Sequence, residues 1–120
     1  ILKVNHLNSA GSIIAAVAAL RARYTLFPPM EVECRTLDHV REAVEARADR
    51  IMMDNMDGQR LSQALALVPG SIETEVSGGV RLDTIRALAL TEPRRPDFIS
   101  VGRLTHSAVS ADFSMTLLAV

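Results

Sequence analysis

Ile72-Glu73-Thr74-Glu75-Val76-Ser77-Gly78-Gly79, followed closely by the amphipathic run Arg81–Leu90, is the stretch on which the fold turns. Its first five residues alternate apolar and polar, the period-two signature of a strand. A serine and two glycines break the pattern, and Leu82, Ile85 and Leu88 then recur at helical spacing. The unit reads as strand, polar turn, helix, and it recurs on both sides. Upstream, Ile1–Val4 predicts a first strand. Ser9–Tyr24 predicts a helix with Ile13, Ile14, Val17 and Leu20 on one face, Ser12 or Ser9 as cap, and Arg21 and Arg23 near its end. Phe27-Pro28-Pro29 breaks that helix. Met30–Cys34 and Arg50–Met53 predict two further strands. Leu37–Ala48 follows the first of them as a helix, with Thr36 as cap and Leu37, Val40 and Val44 inward. Asp57–Val68 follows the second, with Leu61, Leu65 and Val68 on one face and Pro69-Gly70 as its stop. Downstream lie the loop Thr91–Pro96, a fifth strand Phe98–Val101 and an apolar tail, Phe113–Val120, that reads as a last strand.

Connections this long cannot be hairpins, so the strands are parallel and the helices are crossovers. The class is α/β. A complete (β/α) barrel takes about 250 residues and eight strands. A chain of 120 residues with about five units fits a small open α/β sheet or part of a barrel. No G-x-G-x-x-G turn follows the first strand, which leaves a dinucleotide-binding fold without support.

Composition narrows the function. With 48% hydrophobic and 22% charged residues the chain can build a packed core. Its net charge of −1 argues against nucleic acid as partner. Only 3% of residues are aromatic, too few for a base-stacking platform. A single cysteine, Cys34, excludes an internal disulfide and a cysteine-based zinc site. No apolar run approaches the ~18 residues of a membrane span, and no signal segment is visible, so the expected compartment is the cytoplasm. The opening Ile-Leu-Lys-Val, without an initiator methionine, suggests a piece of something longer.

Strand ends carry the polar residues: Lys3 with Asn5-His6, Glu33, Asp54-Asn55, Ser77-Gly78-Gly79, and Ser100 with Gly102. Active sites of α/β folds lie at the carboxyl ends of parallel strands, so these five ends point to one shared site. Ser77-Gly78-Gly79 before a helix lets backbone N–H groups approach a phosphate, and Ser100-Val101-Gly102 at the next strand end adds to it. His106 follows that loop and is placed for a phosphate contact. Glu33 and Asp54, on neighbouring strands, suit Mg²⁺ or ribose hydroxyls. Lys3, the only lysine beside twelve arginines, suits an anionic substrate. Together they suggest a phosphorylated sugar. Glu31 and Glu73 have the ordinary reading of acids facing solvent at a sheet edge or paired with arginine. Cys34 reads as a buried small hydrophobe, His39 as surface, His6 as structural, Met52, Met53 and Met56 as core, and Arg94-Arg95 as a solvated loop.

Six short motifs lie in order along the chain: Leu2-Lys3-Val4-Asn5-His6; Gly11-Ser12-Ile13; Glu31-Val32-Glu33-Cys34; Ala48-Asp49 leading to Met53-Asp54-Asn55-Met56; Val76-Ser77-Gly78-Gly79; and Ile99-Ser100-Val101-Gly102 with Leu104-Thr105-His106-Ser107. Through them the chain resembles the C-terminal barrel domain of the quinolinate phosphoribosyltransferases, or carboxylating nicotinate-nucleotide pyrophosphorylases. The resemblance implies a partial (β/α) barrel over residues 1–112, carrying a phosphoribosyl-donor site, and a tail, 113–120, that returns to another domain. It implies transfer of a phosphoribosyl group from phosphoribosyl pyrophosphate to quinolinate with decarboxylation, giving nicotinate mononucleotide for NAD biosynthesis. Mg²⁺ is the implied cofactor and a homo-oligomer, dimer or higher, the implied assembly. By the same resemblance Lys3 holds a quinolinate carboxylate and counts as catalytic with Glu33 and Asp54, which face the ribose and the metal. Ser77, Gly78, Gly79, Ser100 and Gly102 cradle the 5′-phosphate, with His106 nearby. Val4 stands where the family usually has aspartate, implying altered hydrogen bonding, and Arg47 where glycine is common, implying an altered helix end. An N-terminal domain and the first barrel strands, which carry the arginine- and histidine-rich part of the quinolinate site, are outside this sequence. Two other readings compete: a different barrel transferase on a phosphorylated sugar or nucleotide, such as one linked to molybdenum uptake, and a non-catalytic phosphate-binding half-barrel. A part-barrel exposes strand edges, so association or poor solubility is expected.

Overall fold

Four parallel strands pair in their sequence order: β1 (Glu31–Cys34), β2 (Arg50–Asp54), β3 (Glu73–Ser77) and β4 (Phe98–Ile99). The structure, a computed structural model, describes residues 1–24, 28–107 and 109–118, without the side chain of Asn8. Sequential order has no reversal point, and right-handed crossovers then place the helices that connect the strands on one side of the sheet. That is the arrangement of a barrel wall, and it settles the choice the sequence left open in favour of the part-barrel.

The helices are α1 (Val4–Ala10), α2 (Ile13–Arg23), α3 (Leu37–Glu45), α4 (Gly58–Leu67), α5 (Ile85–Ala89) and α6 (Arg103–His106). Register fixes the two faces of the sheet. Val32 and Cys34 of β1 pair with Ile51 and Met53 of β2, which pair with Thr74 and Val76 of β3, and all six are buried in the core under the helices. Val40 and Ala43 of α3 and Leu61, Ala64 and Leu65 of α4 close that core. The opposite face carries Glu31, Glu33, Arg50, Met52, Asp54, Glu73, Glu75 and Ser77, and in a closed barrel it becomes the interior.

Several expected elements change. The strand at Ile1–Val4 reduces to a single parallel bridge from Leu2 to Val32, because helix begins already at Val4. Lys3 caps that helix, and its backbone N–H donates to His6 Nδ1 at 3.0 Å, so His6 is structural as expected. The long helix expected from Ser9 is broken by Gly11 in a left-handed conformation (φ 84°), and Ser12 restarts it by accepting from Ala15 N–H at 3.1 Å. Ile14 then faces out rather than in, and Ala16 takes its place. The expected break at Phe27 lies outside the described residues. Strand β4 stops at Ile99, two residues early. The tail forms no strand over its described part, 113–118, where its large apolar side chains are exposed.

Two arginines, Arg21 and Arg94, pin the layer together. Arg21 of α2 donates to the carbonyls of Ala46 (2.8 Å) and Arg47 (2.6 Å), capping the end of α3. Arg47 itself is left-handed (φ 55°), which explains why a glycine suits this position, and an arginine here costs about 1 kcal/mol of backbone strain. Arg94, expected in a solvated loop, instead donates to the carbonyls of Val68, Pro69 and Ile72 and to Asp97, tying the end of α4 to the start of β3. Burial opposes ionisation of Asp97, yet donors from the Thr74 hydroxyl and N–H and from Arg94 prevail and hold it below the usual carboxylate range.

Candidate active site

The carboxyl ends of the strands form two adjoining subsites. On the β3–β4 side, Ser77, Gly78, Gly79, Ser100, Gly102 and His106 line one cavity of about 410 Å³, joined by Val80, Arg81 and Arg103. This brings together all six residues expected at the phosphate. The glycines are required by geometry. Gly78 (φ 88°) and Gly79 (φ 62°) turn through left-handed backbone, and a Cβ on Gly78 would lie 2.5 Å from the Asn55 side chain. On Gly102 a Cβ would lie 2.6 Å from His106 Nε2, so the ring packs directly on the backbone of that loop.

One part of the expected cradle is corrected. The helix after Gly79 starts at Ile85, not Arg81, because residues 82–84 form a turn and Leu82 points to solvent. A helix N-terminus therefore does not meet the Ser77-Gly78-Gly79 turn, and the arginines at the cavity are Arg81 and Arg103. Of those, Arg81 is committed to Asp83, at 2.8 and 2.9 Å, which holds the Asp83 carboxyl below its ordinary range. The Ser100 hydroxyl donates to Glu75 Oε1, which fixes its direction and ties the cavity floor to the sheet face.

On the β1–β2 side, Glu33 and Asp54 lie on the same sheet face two register positions apart, since Met52 is the residue opposite Glu33, and both are nearly buried. Arg35 bridges them: its Nη2 lies 2.9 Å from Glu33 Oε1, and its Nε donates to Asp54 Oδ2 at 3.0 Å. Lys3 follows the Leu2–Val32 bridge and so falls opposite Glu33, with its side chain exposed. These three do not line the cavity of Ser77, Gly102 and His106. The link is Asn55, left-handed (φ 55°), whose Nδ2 donates to Asp54 Oδ1 at 3.0 Å while its side chain packs under Gly78. Sequence reasoning noted Asn55 as a polar strand end but gave it no role; asparagine, which tolerates left-handed backbone, right after an acid was the available signal. Arg35, Arg81 and Arg103 were missed outright, since surface arginines carry no pattern of their own.

Among the described residues no group of three or more metal-ligating side chains converges. Mg²⁺ needs less than that. It binds through one or two carboxylates and fills its octahedron with water and phosphate oxygens, so the carboxylates of Glu33 and Asp54 fit it by the chemistry of their donors. Deeper on the same face, Arg50 pairs with Glu73 (2.7 Å) and reaches Glu75 (3.6 Å), and its guanidinium lies 4.1 Å over the Phe98 ring. Glu73 is thus paired and exposed, as expected. Glu31 is not: its Oε1 is buried without a partner, and burial together with the neighbouring Glu75 carboxylate raises its carboxyl to about 6, against the pull of Arg50.

A parallel barrel wall, with a glycine-lined cavity and two carboxylates at the carboxyl edge of its strands, defines the class: part of a (β/α) barrel domain. The family described as quinolinate phosphoribosyl transferase, C-terminal domain, matches residues 1–116, and the chain belongs to that family. It is 39% identical over 114 residues to a probable carboxylating nicotinate-nucleotide pyrophosphorylase of Bacillus subtilis, covering 95% of this chain and 38% of that protein. It is 34% identical over 121 residues to the human carboxylating nicotinate-nucleotide pyrophosphorylase, covering 98% of this chain and 40% of that one. Among solved structures, NadC from Streptococcus pyogenes superposes with a TM-score of 0.80 at 39% identity, over 96% of this chain and 39% of that one. The chain thus spans about two-fifths of the length of the curated relatives it matches. Relatives include chloroplastic and mitochondrial forms, so membership of the family does not fix a compartment. Among the described residues no helix is long and apolar enough to cross a membrane.

Proposed function

We propose that this chain is the phosphoribosyl-donor part of an enzyme that transfers the phosphoribosyl group of phosphoribosyl pyrophosphate to quinolinate, releasing pyrophosphate and CO2 and giving nicotinate mononucleotide. The observation that carries the reading is the cavity in which the Ser77-Gly78-Gly79 turn, Gly102 and His106 converge, linked through Asn55 to the Glu33–Asp54 pair. The cavity takes the 5′-phosphate. The ribose then extends toward β2 and β1, and its anomeric carbon comes near the carboxylates. As the bond to pyrophosphate breaks, positive charge grows on that carbon, and fixed carboxylates stabilise it. The pyridine nitrogen forms the new bond and becomes cationic. Its positive charge then stabilises the electron pair left on the neighbouring ring carbon when that carbon's carboxylate departs as CO2, and a proton from solvent bonds to that carbon. Lys3, which follows the Leu2–Val32 bridge with its side chain exposed, would hold a quinolinate carboxylate. Glu33 and Asp54 are the residues that would hold Mg²⁺, whose charge would offset that of the leaving pyrophosphate. The exposed apolar side chains of the tail and the open barrel edges favour burial against further parts of the protein and in a homo-oligomer.

The test uses the protein at its full natural length, with calorimetric binding of phosphoribosyl pyrophosphate and formation of nicotinate mononucleotide as readouts. Gly78→Ala forces a side chain into left-handed backbone and onto Asn55, a strain of about 1–3 kcal/mol. It should weaken donor binding at least about tenfold. Donor binding without product would favour the phosphate-binding half-barrel, and no donor binding would end the proposal.

A further inference from the structure

Arg35 occupies the ground that a metal ion would need. Its guanidinium forks between two different acids, Glu33 Oε1 at 2.9 Å and Asp54 Oδ2 at 3.0 Å. The acids are nearly buried, 10% and 13% exposed, whereas the Arg35 side chain is 56% exposed. The cation therefore lies on the solvent side of the pair and can leave without disturbing the core. Asp54 Oδ1 is taken by Asn55. Of the four carboxylate oxygens only Glu33 Oε2 has no partner among the described residues. A divalent cation arriving with Arg35 in place would find one free oxygen and a guanidinium beside it repelling its charge.

We propose that Arg35 is the resident cation of the Glu33–Asp54 pair, and that a divalent cation reaches those carboxylates only by displacing it, so that Arg35 sets the metal affinity of the site. Bare ions are then held off. A metal already chelated by a polyphosphate succeeds, because the polyphosphate supplies ligands the protein withholds and its negative charge draws the freed guanidinium outward. That second half rests on the transferase reading. The exchange itself is a property of three side chains and stands apart from it. Arg35 is in this sense a specificity-determining residue, discriminating between free and substrate-borne metal.

The experiment is a Mn²⁺ titration of the full-length protein without substrates, following free Mn²⁺ by electron paramagnetic resonance. A site available for only about one-tenth of the time binds about tenfold more weakly than its intrinsic affinity. Arg35→Gln should therefore tighten Mn²⁺ binding about tenfold or more. Arg35→Lys, a point charge that cannot fork between two acids, should give an intermediate gain and serves if the glutamine variant folds poorly. Adding Asp54→Asn to Arg35→Gln should erase the gain and so assign it to this pair. Unchanged or weaker Mn²⁺ binding in Arg35→Gln overturns the proposal, as does a gain that survives Asp54→Asn. Binding of phosphoribosyl pyrophosphate, measured separately, tells this failure from that of the transferase reading: loss of donor binding in the parent protein sinks the latter, while the Mn²⁺ titration alone decides the former.

Discussion

Along β2 the chain spends alternate residues on opposite tasks. Ile51 and Met53 are fully buried against the helical layer, while Arg50, Met52 and Asp54 look to the other face, where the charges of three strands meet. The helix side is apolar apart from Thr74, which is satisfied by Asp97. The open side has a buried carboxylate, an arginine clamp and an unpartnered oxygen within a few residues of one another. Folding energy sits on one face and chemistry on the other. A sheet of period two allows this because moving along the strand by one residue exchanges the faces.

The sharpest way to break that comparison is to cut one residue from each face of β2. Ile51→Ala leaves a cavity under the helices and should cost about 2–5 kcal/mol. Asp54→Ala removes one partner of an exposed arginine that water can resolvate, and should cost about 1 kcal/mol or less. Donor binding should run the other way, nearly intact in the first variant and lost in the second. Chemical denaturation and calorimetry on the same samples check both halves. Equal losses of stability would show that the open face holds up the fold as well.

A second, smaller effect tests the cost of crowding acids on that face. Glu31 is raised from the ordinary value of 4.5 to about 6, first by burial and then by Glu75. A raised carboxyl binds its proton more tightly in the fold than in the unfolded chain, so this group favours folding below pH 4.5 and loses that advantage as pH climbs through 6. Glu31→Gln should leave stability unchanged below that window and raise it above pH 6. Allowing for partial exposure, the gain should be about 1 kcal/mol. Thermal unfolding from pH 4 to 8 reads the crossover, and a pH-independent difference would mean that Glu31 acts through packing rather than charge.

The alternation that builds these faces was plain in the sequence. So were the strand-end residues, because Ser77, Gly78, Gly79, Ser100 and Gly102 interrupt apolar runs where a barrel gathers its ligands. Element lengths were less so. Of the two expected caps Ser12 rather than Ser9 starts α2, after the left-handed Gly11, and Leu82 kept helical spacing inside a turn, since periodicity counts positions and not backbone conformation. Least legible were the arginines. Arg21, Arg35 and Arg94 each reach carbonyls or acids on an element distant in sequence, with long side chains whose targets only the packed chain brings near.

The smallest expected effect concerns two neighbours on β1. Glu33 turns to the site; Cys34, next to it, turns to the core and is fully buried. Burial first, and the charges of Glu33 and Glu42 after it, push the Cys34 thiol up to about 12. Nucleophilic attack needs the thiolate, so at pH 8 almost none is present, and reagent would have to enter the core to find it. Iodoacetamide should therefore leave Cys34 unlabelled in the native protein and modify it only on unfolding, as intact mass would show. Rapid native labelling would mean that the helix layer opens readily over β1, and the division of labour between the two faces would then be looser than the packing indicates.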